Sequence, residues 1–157
     1  MLVKAIGSGL LLLSSALCAS RMISVEKAKI DLLETFISVI SYIKNQIDLY
    51  SSPIKKILDG INEETLHRLH LNDPPQKFDD ILETSELSIG EETEKTLRDF
   101  SSSLGKSYRE VQIKLCDKTL SELEAQKNAL KNAFPSRKKT ILALCLGIGG
   151  VAVIALI

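Results

Sequence analysis

Two histidines three residues apart are the first place to look for metal chemistry in this chain. His67 and His70 are the only histidines among its 157 residues, and on a helix this spacing lets both reach one metal ion. A metal site needs a third or fourth ligand, and the nearby Glu63 and Asp73 are ordinary surface acids. Of the three cysteines, Cys18 and Cys145 lie in apolar segments and Cys116 in a helical pattern, which gives neither a CxxC metal spacing nor a disulfide framework. We therefore expect neither a metal nor another cofactor, and a small membrane enzyme or metal carrier that uses His67 and His70 is the minor alternative.

The segment Gly105-Lys106-Ser107 has the ending of a phosphate-binding loop. Such a loop requires a glycine five residues before Gly105, because backbone N–H groups must surround the phosphate, and that position is Phe100. The residues fit a corner between two helices instead. Gly105 in the left-handed conformation would end one helix, and Ser107 would cap the next. We predict no nucleotide site here.

Charge and composition exclude several further classes of function. The sequence indicates no Ser/His/Asp or Cys/His arrangement for nucleophilic catalysis. The acidic clusters lie near predicted helix starts, where the helix dipole favours them. Residues 21–139 carry 19 bases and 20 acids, so there is no broad basic field for nucleic acid. We predict a protein that is not an enzyme and that takes no nucleic acid and no small-molecule substrate.

Two uncharged apolar segments enclose this polar middle. The first spans residues 5–20, behind Lys4, and the second spans residues 140–157. As a helix rising about 1.5 Å per residue, the second would reach about 27 Å, close to the ~30 Å hydrocarbon core of a bilayer. Both segments are predicted to be transmembrane helices. The spacings Ala5-x-x-x-Gly9 and Ala143-x-x-x-Gly147 would let the two helices approach closely.

The bases beside each apolar segment predict on which side of the membrane the middle lies. They are Arg21, Lys27 and Lys29 after the first segment and Arg137, Lys138 and Lys139 before the second. Because basic flanks stay in the cytoplasm, we predict a cytoplasmic middle. The first segment also fits a cleaved signal peptide, which gives the alternative of an exported helical binding protein.

Helical periodicity predicts a long first helix that continues from the first apolar segment and ends near Tyr50. Its apolar face contains Leu33, Phe36, Ile37, Ile40, Ile43, Ile47 and Tyr50. Ser52 and Pro53 should begin a short helix that ends at Gly60. Asn62 should cap the next helix, through about Leu71. Three later pairs have the spacing of a capping box: Asp73 with Gln76, Ser88 with Glu91, and Ser107 with Glu110.

The predicted fold class is all-α, an antiparallel helical bundle between two transmembrane helices. The long first and last helices should pack together, because each leads to a membrane anchor. The last helix should end at Pro135, since proline cannot donate the helical hydrogen bond. The predicted domains are an N-terminal anchor at 1–20, the bundle at 21–136, and a basic stop with the C-terminal transmembrane helix at 137–157.

Three short stretches carry a resemblance to a known family. Gln46–Ile54 resembles a family stretch in which an acid and a hydrophobic residue are followed by Tyr and then Thr-Pro-Leu. Leu104–Gln112 resembles the family's Leu-Gly-x-Ser-Asp segment. Lys138–Gly150 resembles its basic stop and Leu-Gly-rich last span. In order and spacing, essentially the whole chain resembles stage III sporulation protein AB of endospore-forming bacteria. It departs from the family pattern at Gln46, Tyr108 and Ile141, where Glu, Asp and an aromatic residue are common.

The resemblance implies a non-enzymatic platform in the sporulation channel that links mother cell and forespore. Members of this family are similar to the cytoplasmic helical domain of inner-membrane platform proteins in type II secretion and type IV pilus systems. The implied location is the cell membrane, with the helical domain on the cytoplasmic, mother-cell side. The implied partners are a secretion-type ATPase (stage III sporulation protein AA), other channel subunits and the lipid bilayer.

Two surface features are candidates for the contact with such a partner. The first is the predicted helix–helix corner, with Leu104, Gly105, Tyr108 and Arg109. The second is an acidic surface that would suit a basic patch on a partner, formed by Glu91, Glu92 and Glu94. We expect the two to act as one contact.

Overall fold

The structure, a computed structural model, has α-helices as the only regular elements of its described residues. It describes residues 2–50, 52–84 and 89–156, with the backbone alone at 2–6, 8, 11, 12, 84, 155 and 156. The helices are α1 (Leu2–Tyr50), α2 (Ile54–Asp59), α3 (Glu63–Arg68), α4 (Phe78–Thr84), α5 (Glu91–Ser103) and α6 (Arg109–Leu156). The predicted all-α class is confirmed.

Internal contacts divide the chain into two compact units. The terminal unit comprises residues 1–28 and 130–157, and the central unit comprises residues 29–129. The two long helices, of 49 and 48 residues, each contribute to both units. The central unit therefore contains part of α1, all of α2 to α5 and part of α6.

Three phenylalanines connect different helices within the core of the central unit. The ring centroids of Phe36 in α1 and Phe78 in α4 lie 6.4 Å apart. Phe78 also meets Phe100 of α5 edge-on, at 5.0 Å. Such pairs stabilise a fold by about 0.5–1.5 kcal/mol beyond their buried area. The other fully buried apolar side chains of the unit include Leu33, Ile40, Ile43, Leu58, Leu69, Ile81, Leu97 and Leu123.

In the central unit, α1 and α6 run antiparallel, as predicted for the two long helices. The Lys44 ammonium lies 2.6 Å from the Asp117 carboxylate, and this hydrogen bond holds the pKa of Lys44 above its usual value. The neighbouring Cys116 is fully buried, and the loss of solvation raises the pKa of its thiol to about 11. Cys116 is therefore a neutral packing residue.

The predicted first helix is confirmed in its continuity with the first apolar segment, in its end and in most of its buried face. α1 is continuous with the first apolar segment and ends at Tyr50. Leu33, Phe36 and Ile40 are fully buried, but the placement of Tyr50 on this face is wrong, because 68 % of its surface is exposed. The antiparallel α6 begins at Arg109, whose side chain reaches Asp48, and runs back along α1 from there, so it leaves Leu49 and Tyr50 uncovered.

The helix α2 begins one residue later than predicted. Its first residue is Ile54, so Pro53 occupies the capping position and the predicted Ser52 cap is wrong. Proline has no N–H, but its carbonyl accepts the first helical bond, from the N–H of Ile57 at 3.1 Å. Gly60 ends α2, as predicted.

The helix α3 has the predicted start and an earlier end. Asn62 caps it, and its Oδ1 accepts from the N–H of Thr65 at 2.9 Å. It stops three residues before Leu71, because His70 adopts a left-handed backbone with φ 59°. The N–H groups of His70 and Leu71 then bond helix carbonyls at 3.1 and 2.9 Å, the pattern of a Schellman cap. His70 therefore shares no helical face with His67.

Asp80, and not Asp73, satisfies the open N–H groups at the start of α4. Its carboxylate accepts from the N–H groups of Gln76 and Lys77, both at 2.8 Å. The predicted Asp73–Gln76 capping box is wrong, because α4 begins at Phe78. An acid in the first turn of that helix reaches back to the two preceding N–H groups.

The remaining two predicted caps lie at the starts of α5 and α6. α5 begins at Glu91, and Ser88, its predicted cap, lies outside the described residues. α6 begins at Arg109, where the carbonyl of Tyr108 accepts the first helical bonds at 3.0 Å. The predicted Ser107 cap is therefore wrong by one residue.

α6 continues through Pro135, so the predicted helix end and linker there are wrong. A proline inside a helix removes a hydrogen bond and costs about 3 kcal/mol, but its fixed φ is compatible with a helix. Two residues later, within the terminal unit, the Arg137 guanidinium lies 2.9 Å from the Glu26 carboxylate of α1. A partly exposed ion pair contributes at most about 1 kcal/mol, so the packing of α6 against α1 in this unit must supply the rest.

Within the terminal unit, α1 and α6 contact each other through small residues. The hydroxyl of Ser15 donates to the carbonyl of Cys145. Ala19 is only 2 % exposed, and Gly149 is buried. The rows Ser15-x-x-x-Ala19 and Cys145-x-x-x-Gly149 thus allow the close approach that small residues permit.

The predicted approach through Gly9 and Gly147 is wrong. A Cβ added at either glycine would meet no heavy atom within 4 Å. Ala143 is exposed, and the side chain of Ala5 lies outside the described residues. Gly9 and Ser15 are separated by roughly 120° around the helix, so the row that makes contact is a different one.

Large apolar side chains are exposed along both helices of the terminal unit. They are Leu10, Leu13, Leu17, Met22, Val25, Leu142, Leu144, Leu146, Ile148, Val151 and Ile154. Over the residues that the structure describes, no helical segment has the length and hydropathy of a membrane span. The two transmembrane helices remain a prediction.

Replacing His70 by glycine should raise the free energy of unfolding by about 0.5–1 kcal/mol, because glycine adopts a positive φ without the steric cost of a side chain. His67→Gly is the matched control, an exposed histidine inside α3, and it should lower the free energy of unfolding by about 1 kcal/mol. Denaturant unfolding of the full chain, followed by circular dichroism, measures both. Changes of the same sign would contradict the role of His70 as a left-handed cap.

Candidate functional site

The corner between α5 and α6 has the left-handed glycine that the sequence predicts. Gly105 has φ 78° and follows the last residues of α5. A Cβ at this position would lie 3.2 Å from Cγ1 of Ile54, in the first turn of α2. Glycine is thus required both for the backbone conformation and for the close approach of α2. The corner is held against α2 and is not an isolated loop.

The side chain of Gln112 closes this corner from the first turn of α6. Its Oε1 accepts from the N–H of Gly105 at 3.0 Å, and its Nε2 donates to the carbonyl of Ser103 at 3.2 Å. Only 4 % of Gln112 is exposed. The amide thus satisfies one donor and one acceptor that the end of α5 leaves open. Gln112 was not identified as a site residue from the sequence. Its position four residues before the buried Cys116 places it on the buried face of α6, where a polar side chain needs a hydrogen-bond partner.

Arg109 connects the start of α6 to the end of α1. Its guanidinium lies 2.6 Å from the Asp48 carboxylate and also donates to the carbonyl of Asp48. Its Nε donates to the carbonyl of Ile47 at 3.3 Å. A cation that bonds the last carbonyls of a helix also interacts favourably with the helix dipole. The start of α6 is therefore fixed at the end of α1.

The residues between and beside these contacts form an exposed apolar surface. Tyr108 is 90 % exposed, Leu49 70 %, Tyr50 68 % and Val111 52 %. They are the only large apolar side chains that the central unit exposes among its described residues. We call them the tyrosine surface. Of the other residues predicted at the corner, Leu104 is half-buried, and Gly105 and Arg109 are exposed.

The acidic residues predicted to share this contact lie at the other end of α5. Glu91 and Glu92 are exposed in its first turn, and Glu94 pairs with Arg98 at 2.7 Å. α5 has 13 residues, so its two ends are separated by roughly 18 Å. The structure therefore does not bring the acidic residues and the corner together.

The bases that flank the apolar segments are distributed over both units. In the terminal unit, Arg137 pairs with Glu26, whose side chain is 19 % exposed. The other exposed bases of that unit's flanks are Arg21, Lys27, Lys138 and Lys139. Lys29 is half-buried and belongs to the central unit. Across the part of the chain that is described, no group of three or more His, Cys, Asp and Glu side chains could hold a metal ion.

Replacing Gln112 by alanine should lower the free energy of unfolding by about 2 kcal/mol, because the Gly105 N–H and the Ser103 carbonyl lose their partner in a buried position. Asn128→Ala on the same helix is the control, since Asn128 is exposed and should change the value by no more than about 0.5 kcal/mol. Denaturant unfolding of the full chain measures both. If the two variants unfold alike, the closing role of Gln112 is refuted.

Comparison with known proteins supports the resemblance seen in the three sequence stretches. A family model described as stage III sporulation protein AB matches residues 4–157, a range that includes the corner and parts of both units. No curated protein and no solved structure matches the chain. The family match implies a role in stage III of sporulation. The chain thus belongs to the stage III sporulation protein AB family.

Proposed function

We propose that this protein is a non-enzymatic platform of the sporulation channel, held in the cell membrane. Its central unit lies on the cytoplasmic, mother-cell side and couples a secretion-type ATPase, stage III sporulation protein AA, to the channel subunits. Family membership supports the role in sporulation. The partners and the location are what the resemblance to this family implies, and the surfaces of the two units are consistent with them.

One observation carries the membrane part of the proposal. Eleven of the 15 exposed large apolar side chains among the described residues belong to the terminal unit. Their exposure to water would be unfavourable by roughly 25 cal/mol for each Å² of apolar surface, and a lipid environment removes that cost. The sequence supports the same reading, because residues 5–20 and 140–157 contain no charged residue.

The orientation of the central unit follows from the bases beside these segments. Arg21 and Lys27 follow the first apolar segment, and Lys138 and Lys139 precede the second, all with exposed side chains. Such bases near the ends of short spans keep their side of the membrane in the cytoplasm. An exported protein would have to carry both basic groups across the membrane, which makes this alternative the weaker one.

The central unit is better suited to protein contact than to catalysis. Cys116 is buried with its thiol pKa raised to about 11, so it is not available as a nucleophile at neutral pH. His67 and His70 are both exposed, and His70 serves as a helix cap. Tyrosine-rich exposed surfaces are typical of protein interfaces. The proposed contact is therefore the corner with Leu104, Gly105, Tyr108 and Arg109.

The full chain in lipid nanodiscs should bind purified stage III sporulation protein AA in a pull-down. The matched control is the same chain with Gly105→Val, which cannot adopt the left-handed corner beside Ile54 without strain and should bind more weakly. Empty nanodiscs control for adsorption of the ATPase to lipid. If the ATPase binds empty and loaded nanodiscs equally, the coupling role is wrong.

Protease added to intact sporulating cells should leave the central unit uncut, because we propose that it lies in the cytoplasm. A protease site inserted beside Asn72, in the exposed segment between α3 and α4, provides a defined target. The same site should be cut after the cells are lysed, which controls for its accessibility. Cleavage in intact cells would contradict the proposal and favour the exported binding protein.

A further inference from the structure

We infer that the tyrosine surface is the docking site for a partner protein segment that carries apolar side chains flanked by carboxylates. This inference rests on the proposed platform function and names the chemistry of the partner at that contact. It concerns Leu49, Tyr50, Tyr108 and Val111, and the charged residues around them.

The first argument is that contacts on both sides fix the surface. Arg109 bonds Ile47 and Asp48 at the end of α1, immediately before Leu49 and Tyr50. On the α6 side, Tyr108 directly precedes Arg109, and Val111 lies two residues after Arg109. The backbone that carries the four side chains is thus tied together by one guanidinium group. Such a surface loses little freedom when a partner binds.

The second argument is that the exposure is concentrated. In the described residues of the central unit, the exposed large apolar side chains occur only at this end of the α1–α6 pair. Isolated exposed apolar residues are ordinary, whereas a group at one place marks an interaction site. Tyr108 is 90 % exposed, although it sits between two structured positions, Gly105 and Arg109. Tyrosine is also among the residues that contribute most to protein interfaces.

The third argument is the separation of charge. The central unit carries 13 bases and 19 acids, a formal charge of −6. The two segments around the surface, 48–56 and 104–114, carry five bases and two acids, a formal charge of +3. Arg109 and Asp48 are paired with each other. The exposed lysines that remain are Lys55, Lys56, Lys106 and Lys114, and none has an ion pair with another described residue.

The sign of this charge determines the chemistry of the partner. An apolar surface with a basic rim attracts a segment with an acidic rim, and it repels the acidic remainder of other copies of the central unit. Ile54 lies against Gly105, so the next residues along the two segments, Lys55 and Lys106, belong to the same junction. The acidic end of α5 has the opposite sign, and we assign it no part in this contact.

The test uses the full chain in nanodiscs, and stage III sporulation protein AA serves as the probe. The natural chain has no tryptophan, so Tyr108→Trp introduces a single reporter and the unmodified chain is its blank. Adding the ATPase should shift the emission to shorter wavelength.

Tyr108→Ser, Tyr50→Ser and Lys106→Glu should each weaken binding at least tenfold. Lys95→Glu on α5, with the same change of charge, and Glu92→Lys should stay within about twofold.

Thermal melts should be nearly unchanged for the Tyr108, Tyr50, Lys106 and Lys95 variants, because each replaced side chain is exposed. Glu92→Lys should melt slightly lower, because it places a cation in the first turn of α5. Equal binding by every variant would overturn the docking site while leaving the platform function intact. A blue shift in nanodiscs without the ATPase, quenched by brominated lipid, would also overturn it, because the surface would then contact lipid.

A natural chain that fails to bind the ATPase would refute the proposed coupling, and spore formation then decides on the surface. Cells that produce each variant at the natural level are scored for heat-resistant spores. At least a tenfold loss with Tyr108→Ser and Lys106→Glu, and no loss with Lys95→Glu, would support the docking site. Equal spore counts for all of them would overturn it.

Discussion

The antiparallel pairing of α1 with α6 is the constraint on which the central unit depends. These helices supply much of its core, with Leu33, Phe36, Ile40 and Ile43 from α1 and Cys116 and Leu123 from α6. The four helices between them have six to 13 residues. Helices this short are not stable alone, because the cost of nucleation exceeds what so few hydrogen bonds return. They form because their apolar residues are buried in the common core, as Phe78 and Phe100 are beside Phe36 of α1.

Features of the fold that depend on residues close together in sequence could be predicted, and features that depend on contacts between distant helices could not. The end of α1 at Tyr50, the Asn62 cap and the left-handed Gly105 all follow from residues within one or two turns. The end expected at Pro135 was wrong, because contacts of α6 with α1 outside that turn favour the helix. The closing role of Gln112 could not be derived either, since it requires knowing how α5 and α6 meet. The candidate site was therefore predicted as a corner, but not as a surface shared with the end of α1.

The two units differ in which side chains their surfaces expose. In the central unit, apolar residues at helical spacing are buried and the exposed positions are mostly charged. In the terminal unit the pattern is inverted: small residues such as Ala19 lie at the helix contact, and leucines such as Leu13 and Leu144 point outward. This inversion is the arrangement expected when the surrounding medium is as apolar as a leucine side chain. The proposed membrane location rests on this inversion together with the uncharged sequence at both ends.

At the corner, the contacts that stabilise the fold also hold the backbone of the proposed docking surface. Gln112 satisfies the end of α5, and Arg109 satisfies the end of α1, so each polar contact completes a helix terminus while it fixes the backbone beside Tyr108. Removing either contact would therefore act on binding through the position of Tyr108, even though neither side chain need touch a partner. Tyr108 is 90 % exposed, so it contributes little to the core, and we propose recognition as its role. An exposed aromatic side chain on a fixed backbone would lose little entropy when a partner binds.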